Sequence, residues 1–396
     1  MAVAGKIQDV FSRAFGLQLF QKKRLNWVDY LRGIVIILVV YHHARIGIER
    51  SGVDMPQFLV TANIVFYSFR IPLFFLVSGI FFSRTLENCP TSRFVSLRFE
   101  NLLYPYLIWA TIQVTAQIFL SAYTNTDRSV SDYLYIFYQP RKLDQFYYLP
   151  ALFNVTIIYL LIKTYLKPGT ATHLAIALVF YMTAHLLDQV SIISDWMTFY
   201  IFFAIGDALA KLFFENRPQK AFSNLSTFLF AIPLFALVQF AYLRLDIGQS
   251  VIPNADWSEA PKLNAIETFF DKIFFLFIVL AGCFMVTTLS FQLQKWRVLS
   301  YLRVIGYHSL HIYVLHVMVV AFTRVVLKSM GVLDPFVLLF SCITVGILVP
   351  IVFYNVVVKT NWGWYLFHFR RRPAPATPRQ SQTGHLPLKP IENTAQ

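Results

Sequence analysis

Apolar residues in this chain gather into long blocks separated by shorter polar stretches. Ten blocks have the length and hydropathy of membrane-crossing helices: 27–48, 58–83, 99–121, 147–166, 171–187, 195–213, 222–243, 266–291, 303–326 and 335–357. Most reach the ~20 residues with which a helix spans ~30 Å of hydrocarbon. Block two is long and block five short, so tilt or shifted boundaries are expected there. In hydrocarbon every backbone group needs an internal partner, which favours helices for blocks of this length. The expected fold is an all-α integral membrane protein, a bundle of about ten transmembrane helices. Two long loops, 122–146 and 244–265, fall on the same side, and no internal repeat of the inverted-topology kind is evident.

Composition agrees with this pattern. The chain of 396 residues is 57% hydrophobic and 14% charged, against about 25% charged in soluble domains. The formal charge of +14 would suit a nucleic-acid binder, but its distribution argues for topology and against nucleic acid. Of the 34 Lys and Arg, counting those at block ends with the side they adjoin, 22 lie on the side of the two terminal segments, nine lie on the other side, and Arg32, Arg70 and Lys272 lie deeper within blocks. The positive-inside rule then places both termini in the cytoplasm. Cys89, Cys283 and Cys342 are scattered and show neither a disulfide framework nor metal-ligand spacing.

Three segments follow. Residues 1–24 carry Ile7, Val10, Phe11, Ala14 and Phe15 at helical spacing, which predicts an amphipathic helix on the cytoplasmic membrane surface. Residues 25–360 form the membrane domain. Residues 361–396 are basic and Pro-rich and are expected to be a disordered cytoplasmic tail. The first block follows Lys22-Lys23-Arg24, is too long for a signal h-region and lacks a small-residue cleavage site, so it is expected to remain as a span.

Polar groups inside the blocks carry the candidate chemistry. The first block begins Asp29-Tyr30-Leu31-Arg32-Gly33 and ends near His42-His43. Eleven residues bring His43 to within about 20° of Arg32 on a helix, Asp29 lies about 40° from His43, and His42 falls about 80° away from Arg32's side of the seam. A seam of Asp, Arg and His is costly in lipid and predicts a buried site, although snorkelling would account for Arg32 alone. Arg32 and His43 stand about 16 Å apart along the axis, too far to act on one atom. Arg70 lies near the middle of block two, where insertion costs roughly 2.5–3.5 kcal/mol. It calls for a polar cavity, an anionic ligand or a buried acidic partner. Pro72 is expected to kink that helix, and Ser78-Gly79 to admit a close helix neighbour. The loop 91–101 sets Arg98 at the mouth of block three, a candidate for an anionic ligand. Block nine carries His308, His311 and His316, which do not share a face, so metal binding is not expected; hydrogen bonding to neighbouring helices explains the first two.

With these residues in view, the sequence resembles the acyltransferase 3 family of integral membrane acyltransferases. The first-helix signature appears as Asp29, Arg32-Gly33 and His43, which selects His43 over His42. Phe74-Phe75-Leu76-Val77-Ser78-Gly79, Arg98 through Tyr104-Pro105-Tyr106, Tyr147-Tyr148-Leu149-Pro150, and Gly306, Ser309, Ile312-Tyr313 and His316 are similar to later elements. The fourth has Tyr147-Tyr148 where the family often has Trp-Phe. The likeness runs from residue 25 to about 357.

The resemblance implies acyl-CoA, with acetyl-CoA expected, as a cytoplasmic donor substrate, and no tightly bound cofactor or metal. It implies a hydroxyl on an extracytoplasmic or lipid-linked glycan as acceptor, O-acetylation of cell-envelope polysaccharide, and residence in the bacterial cytoplasmic membrane. His43 would be general base or acyl carrier, Arg32 and Arg98 would hold CoA phosphates, and Asp29 would orient Arg32. Arg70 would bind pantetheine carbonyls or a developing oxyanion. Ser78 and Tyr104 join the donor-binding set, and Ser309, Tyr313 and His316 form a second cluster. No hydrolase-like domain follows the last block, so any second acylation step is expected to use an envelope-biosynthesis partner protein. A transporter or flippase, or a scaffold subunit of a polysaccharide-export system, is the competing expectation.

Overall fold

The computed structural model describes residues 25–121, 128–245, 247–248 and 264–371. The fold is 85% helical, with no strand among the described residues. Ten helices there are long and apolar enough to cross a membrane: α1 (Asn26–Arg50), α2 (Gln57–Glu87), α3 (Thr91–Phe119), α4 (Pro140–Leu166), α5 (Thr170–Leu187), α6 (Ser191–Phe214), α7 (Leu225–Arg244), α8 (Ile266–Trp296), α9 (Ser309–Ser329) and α10 (Pro335–Val357). The chain is thus the all-α membrane bundle its hydropathy predicts. The surface helix expected within 1–24, most of the 244–265 loop and the tail from 372 lie outside the described residues.

Local sequence sets the helix ends. The Asn264 side chain accepts from the backbone of Ile266 and Glu267 while Glu267 reaches back to the Asn264 N–H, a capping box that opens α8. Asp334 accepts from Val337 N–H at 2.8 Å, with Pro335 in the first turn of α10. Lys167 adopts a left-handed conformation (φ 46°) and ends α4 ahead of Pro168-Gly169.

Burial ranks the helices. The most apolar stretch of α2 is 67% buried and that of α1 56%, against 17% for α7. Helices α1 and α2 are therefore the inner pair and α7 is peripheral. Helix α1 packs on α2, α8, α9, α10 and the short helix Tyr301–Tyr307, whereas α6 packs on α2, α4 and α5. Two glycine contacts fix the closest crossings. A Cβ on Gly33 would overlap the Leu302 carbonyl, and one on Gly306 would overlap the Asp29 carbonyl, so α1 and Tyr301–Tyr307 meet backbone to backbone. Gly79 and Gly206 do the same for α2 and α6, as the small-residue pattern at Ser78-Gly79 predicts.

Four boundaries differ from the sequence reading. Residues 91–98, read as loop, are helical and run into a π-helical turn, Phe99–Leu103; Pro105 cannot donate to the carbonyl four residues earlier, and the widened turn accommodates it. The described part of the 122–146 loop folds into short helical turns at Val130–Leu134, Tyr135–Tyr138 and Pro140–Tyr147, the last reaching the first residue of block four. Block nine is broken at His308 (φ −91°, ψ 11°), which separates Tyr301–Tyr307 from α9. Residues 361–371, placed with the tail, turn back through Asn361–Tyr365 and bury Phe367, while Arg370 pairs with Glu100 at 2.7 Å. The helix Gln57–Ile80 contains Pro72, and a turn at Phe81 separates it from Phe82–Glu87.

Candidate active site

The polar seam of α1 sits at the centre of the bundle because its glycines admit the neighbouring helix. Asp29 is buried one turn before Arg32, where its main chain meets Gly306. Arg32 is half-buried. Arg98 approaches from α3, its guanidinium 4.8 Å from the Phe94 ring centroid. Arg32 and Arg98 act electrostatically on each other and on Tyr148, so the three form one group. Two like charges beside one phenol make an anion-binding environment.

Aromatic rings lead from this group towards the histidines. The Tyr148 ring lies 5.4 Å from Phe74, 5.5 Å from Phe75 and 5.3 Å from Tyr313. Tyr313 is 6.2 Å from His316, and His316 is 5.1 Å from His43, all between ring centroids. The structure therefore joins the first-helix seam to Tyr313 and His316, which the sequence had placed in a separate cluster.

His316 is fully buried. Its Nδ1 lies 3.0 Å from the Ile312 carbonyl and 2.8 Å from the Tyr313 carbonyl. Carbonyl oxygens only accept, so Nδ1 carries the proton and donates. In the neutral ring Nε2 is then a lone-pair acceptor, and it has no hydrogen-bond partner among the described residues. The His43 ring packs at a tilt against the His316 ring and lines two cavities at once. His42 is committed differently. Its Nδ1 lies 3.0 Å from Asn63 Oδ1, which also accepts from Arg70 at 3.4 Å. The two neighbouring histidines thus sit in different surroundings, though both line the polar cavity.

Arg70 is 2% exposed. Among the described residues its partners are the Asn63 amide and the Tyr67 ring, 4.5 Å away, rather than a carboxylate. It lines a polar cavity of about 190 Å³ shared by His42, His43, Tyr147, Asp195 and Tyr313. Arg141 closes that cavity, held by Asp195 at 2.6 Å and Asp188 at 3.2 Å. Asp144 lines it too, in a strained backbone conformation (φ 57°, ψ −110°), of the kind that costs about 1–3 kcal/mol and persists where the surroundings over-determine it. Those surroundings are visible: Gln113 and Gln117 each donate to Asp144 at 3.4 Å, Gln145 donates to Gln113 at 2.8 Å, and the Tyr313 hydroxyl donates to the Gln145 carbonyl.

A second, apolar cavity of about 400 Å³ opens from His43 between α1, α3 and α9. Other sequence candidates lie apart from both cavities. The Tyr104 hydroxyl donates to the Tyr365 carbonyl at 2.5 Å, in the segment after α10. Ser78 and Ser309 are half-buried, and neither lines the cavities around His43. Asn63, Arg141, Asp144 and Gln145 were missed. A single amide in an apolar helix gives no periodic signal, and the other three sit in a stretch that reads as loop; the Pro140-Arg141 to Asp144-Gln145 run of polar groups ahead of a span was the available hint.

Ten apolar helices among the described residues, packed around a histidine pair, an arginine pair and two cavities, define a multi-pass membrane protein with polar groups gathered in its interior. The chain belongs to the acyltransferase 3 family: a family model described as an acyltransferase domain matches residues 25–355. It is therefore a membrane acyltransferase. No curated protein and no solved structure matches it.

Proposed function

We propose that the chain moves an acyl group, acetyl as first choice, from cytoplasmic acyl-CoA to a hydroxyl of an extracytoplasmic or lipid-linked glycan across the bacterial cytoplasmic membrane. The asymmetry of basic residues supports placing the Arg32 end in the cytoplasm. The observation that carries the reading is the His43–His316 pair, in which a buried ring with an unpartnered acceptor nitrogen lies 5.1 Å from a second imidazole that lines both cavities.

Arg32 and Arg98 hold the CoA phosphates by charge-assisted hydrogen bonds. The extended pantetheine arm passes Tyr148 and Tyr313 and covers the ~16 Å to His43. His43 takes the proton of the acceptor hydroxyl as its oxygen attacks the thioester carbonyl. The imidazolium so formed donates to His316 Nε2, which orients it, in the manner of a base held by a third group. Arg70, in the same polar cavity and free of a carboxylate, stabilises the oxyanion. Collapse breaks the C–S bond, and the thiolate leaves with the proton returned from His43. Brief residence of the acyl group on His43 is the covalent variant of the same route.

Purified protein in nanodiscs with radiolabelled acetyl-CoA tests this. The expected result is CoA release with label on the saccharide, falling by about 10²–10⁴ in His43→Ala while the variant still inserts and accumulates. Retained activity in His43→Ala sinks the base assignment, and flux without ester formation would make the chain a carrier.

A further inference from the structure

Two buried oxygens at the polar cavity have nothing to accept from. Asp195 is 1% exposed and lines this cavity together with His43. Its Oδ1 accepts from Arg141 Nε at 2.6 Å, while Oδ2 is buried without a hydrogen-bond partner among the described residues. Gln145 is equally buried and lines the same cavity. Its Nε2 donates to Gln113, and its Oε1 has no partner among the described residues either. Buried polar atoms are hydrogen-bonded in the large majority of cases, so two acceptors left bare at one cavity call for a ligand that brings donors.

The surroundings select the donor. Arg50, Arg70 and Arg141 line the cavity, so an ammonium group would meet three like charges. An anion would offer acceptors where the two bare oxygens need donors, and it would meet the carboxylates of Asp144 and Asp195. A neutral hydroxyl donates to a carboxylate or amide oxygen and still accepts from a guanidinium. Tyr67, Tyr147 and Phe199 add aromatic walls. The volume of about 190 Å³ lies below the ~300–1,000 Å³ of drug-sized sites. These features describe one small ring that carries several hydroxyls.

We propose that Asp195 and Gln145 are the residues that read the acceptor. One ring hydroxyl donates to Asp195 Oδ2 and another to Gln145 Oε1, and together they settle which third hydroxyl reaches His43. The inference rests on the acyl-transfer reading and adds to it a pair of specificity-determining residues outside the histidines and arginines. The two hydroxyls that are read keep their protons, whereas the one that is acylated gives its proton to His43. Both oxygens are held in place from outside the cavity. Arg141 clamps Asp195 and is itself held by Asp188, and the Tyr313 hydroxyl and Gln113 fix the two ends of Gln145.

The test uses the full chain in nanodiscs with labelled acetyl-CoA. The acceptor probe is envelope glycan from cells carrying the gene, stripped of its esters by mild alkali, and NMR of the product gives the ring position of each new ester. The parent protein is expected to place nearly all of them on one hydroxyl. Asp195→Asn keeps an oxygen for Arg141 and turns the other into an N–H donor, and Gln145→Met keeps the length and removes the amide. In each variant KM for the glycan should rise roughly tenfold, and a second ring position should take a clear share of the label. Less transfer at an unchanged position would make the two residues struts and overturn the assignment. Variants equal to the parent, or a parent that scatters its esters, would overturn it as well. A measurement on the parent alone covers variants that fail to fold: methyl glycosides of the acetylated sugar, each lacking one hydroxyl, are offered in turn. Loss of a hydroxyl that is read should cut kcat/KM about a hundredfold or more, because the buried oxygen is then left unpaired. Equal use of all forms that keep the acetylated hydroxyl, or refusal of the complete methyl glycoside, overturns the inference alone. Neither CoA release nor ester on any acceptor overturns the acyl-transfer reading instead.

Discussion

Replacing Arg70 by methionine separates a functional arginine from a structural one, because the two roles predict opposite changes. Arg70 is 2% exposed in the middle of α2. Its presence there costs about 3 kcal/mol on insertion scales. Against this stand a long 3.4 Å hydrogen bond to a neutral amide, worth about 1 kcal/mol, and a desolvated contact with the Tyr67 ring at 4.5 Å, worth about 2 kcal/mol. These terms nearly cancel, so Arg70→Met should leave stability within about 1 kcal/mol of the parent. If the guanidinium stabilises an oxyanion, kcat should fall about 10²–10³-fold, the loss seen when one such donor is removed. Thermal unfolding in nanodiscs and acetyl transfer from labelled acetyl-CoA, measured on the same preparation, read the two effects. Asn63→Leu is the companion variant. It removes the acceptor shared by Arg70 and His42, leaves a buried cation without its amide, and should destabilise by about 1–3 kcal/mol. Arg70→Met with near-parental activity and a clear loss of stability would refute the reasoning, since the arginine would then be a strut.

Three further outcomes follow from the geometry. Gly33→Ala and Gly306→Ala place a Cβ into the facing backbone; each should lower Tm by several degrees and reduce activity by displacing Asp29 and Arg32, whereas Gly169→Ala, with open space around it, should do neither. Tyr148→Ala should raise KM for acetyl-CoA about tenfold by removing the ring beside Arg32 and Arg98, and Tyr148→Phe should restore most of the loss if the ring, rather than the hydroxyl, lines the route; equal defects would contradict that. His42→Gln should retain activity within about tenfold, since a glutamine can donate to Asn63, while His43→Gln should lose the two to four decades of general-base catalysis; the reverse order in a steady-state assay would exchange their roles.

What was legible in the sequence is what one helix can carry. A period of 3.6 places Asp29, Arg32 and His43 on one side of α1 without any knowledge of neighbours. The partner of His43 is not of that kind. His316 stands on α9, and only packing of α9 against α1 brings their rings together. The glycines were visible as small residues, but that Gly33 faces Leu302 while Gly306 faces Asp29 is a statement about two helices. Residues 91–98 were read as loop because Thr91, Ser92, Arg93, Ser96 and Arg98 outnumber the apolar face that holds buried Phe94. Asp144 was lost for a similar reason, its turn being defined by bonds from Gln113 and Gln117 on another helix.

The placement of the aromatic rings bears on why such a site differs from that of a carrier. A carrier exposes its binding site to each side in turn and moves the whole substrate. Here Tyr313 is tied to the Gln145 carbonyl, and Tyr148 is flanked by Phe74 and Phe75, so the region between the arginine pair and the histidine pair is crowded with side chains rather than shaped to pass a sugar. In the proposed reaction nothing larger than the acyl end of an extended arm has to reach His43 from the Arg32 end, while the acceptor comes through the two cavities that already meet there. Only the acyl group then changes sides, and its transfer needs a narrow passage beside Tyr148 with no rearrangement of the bundle.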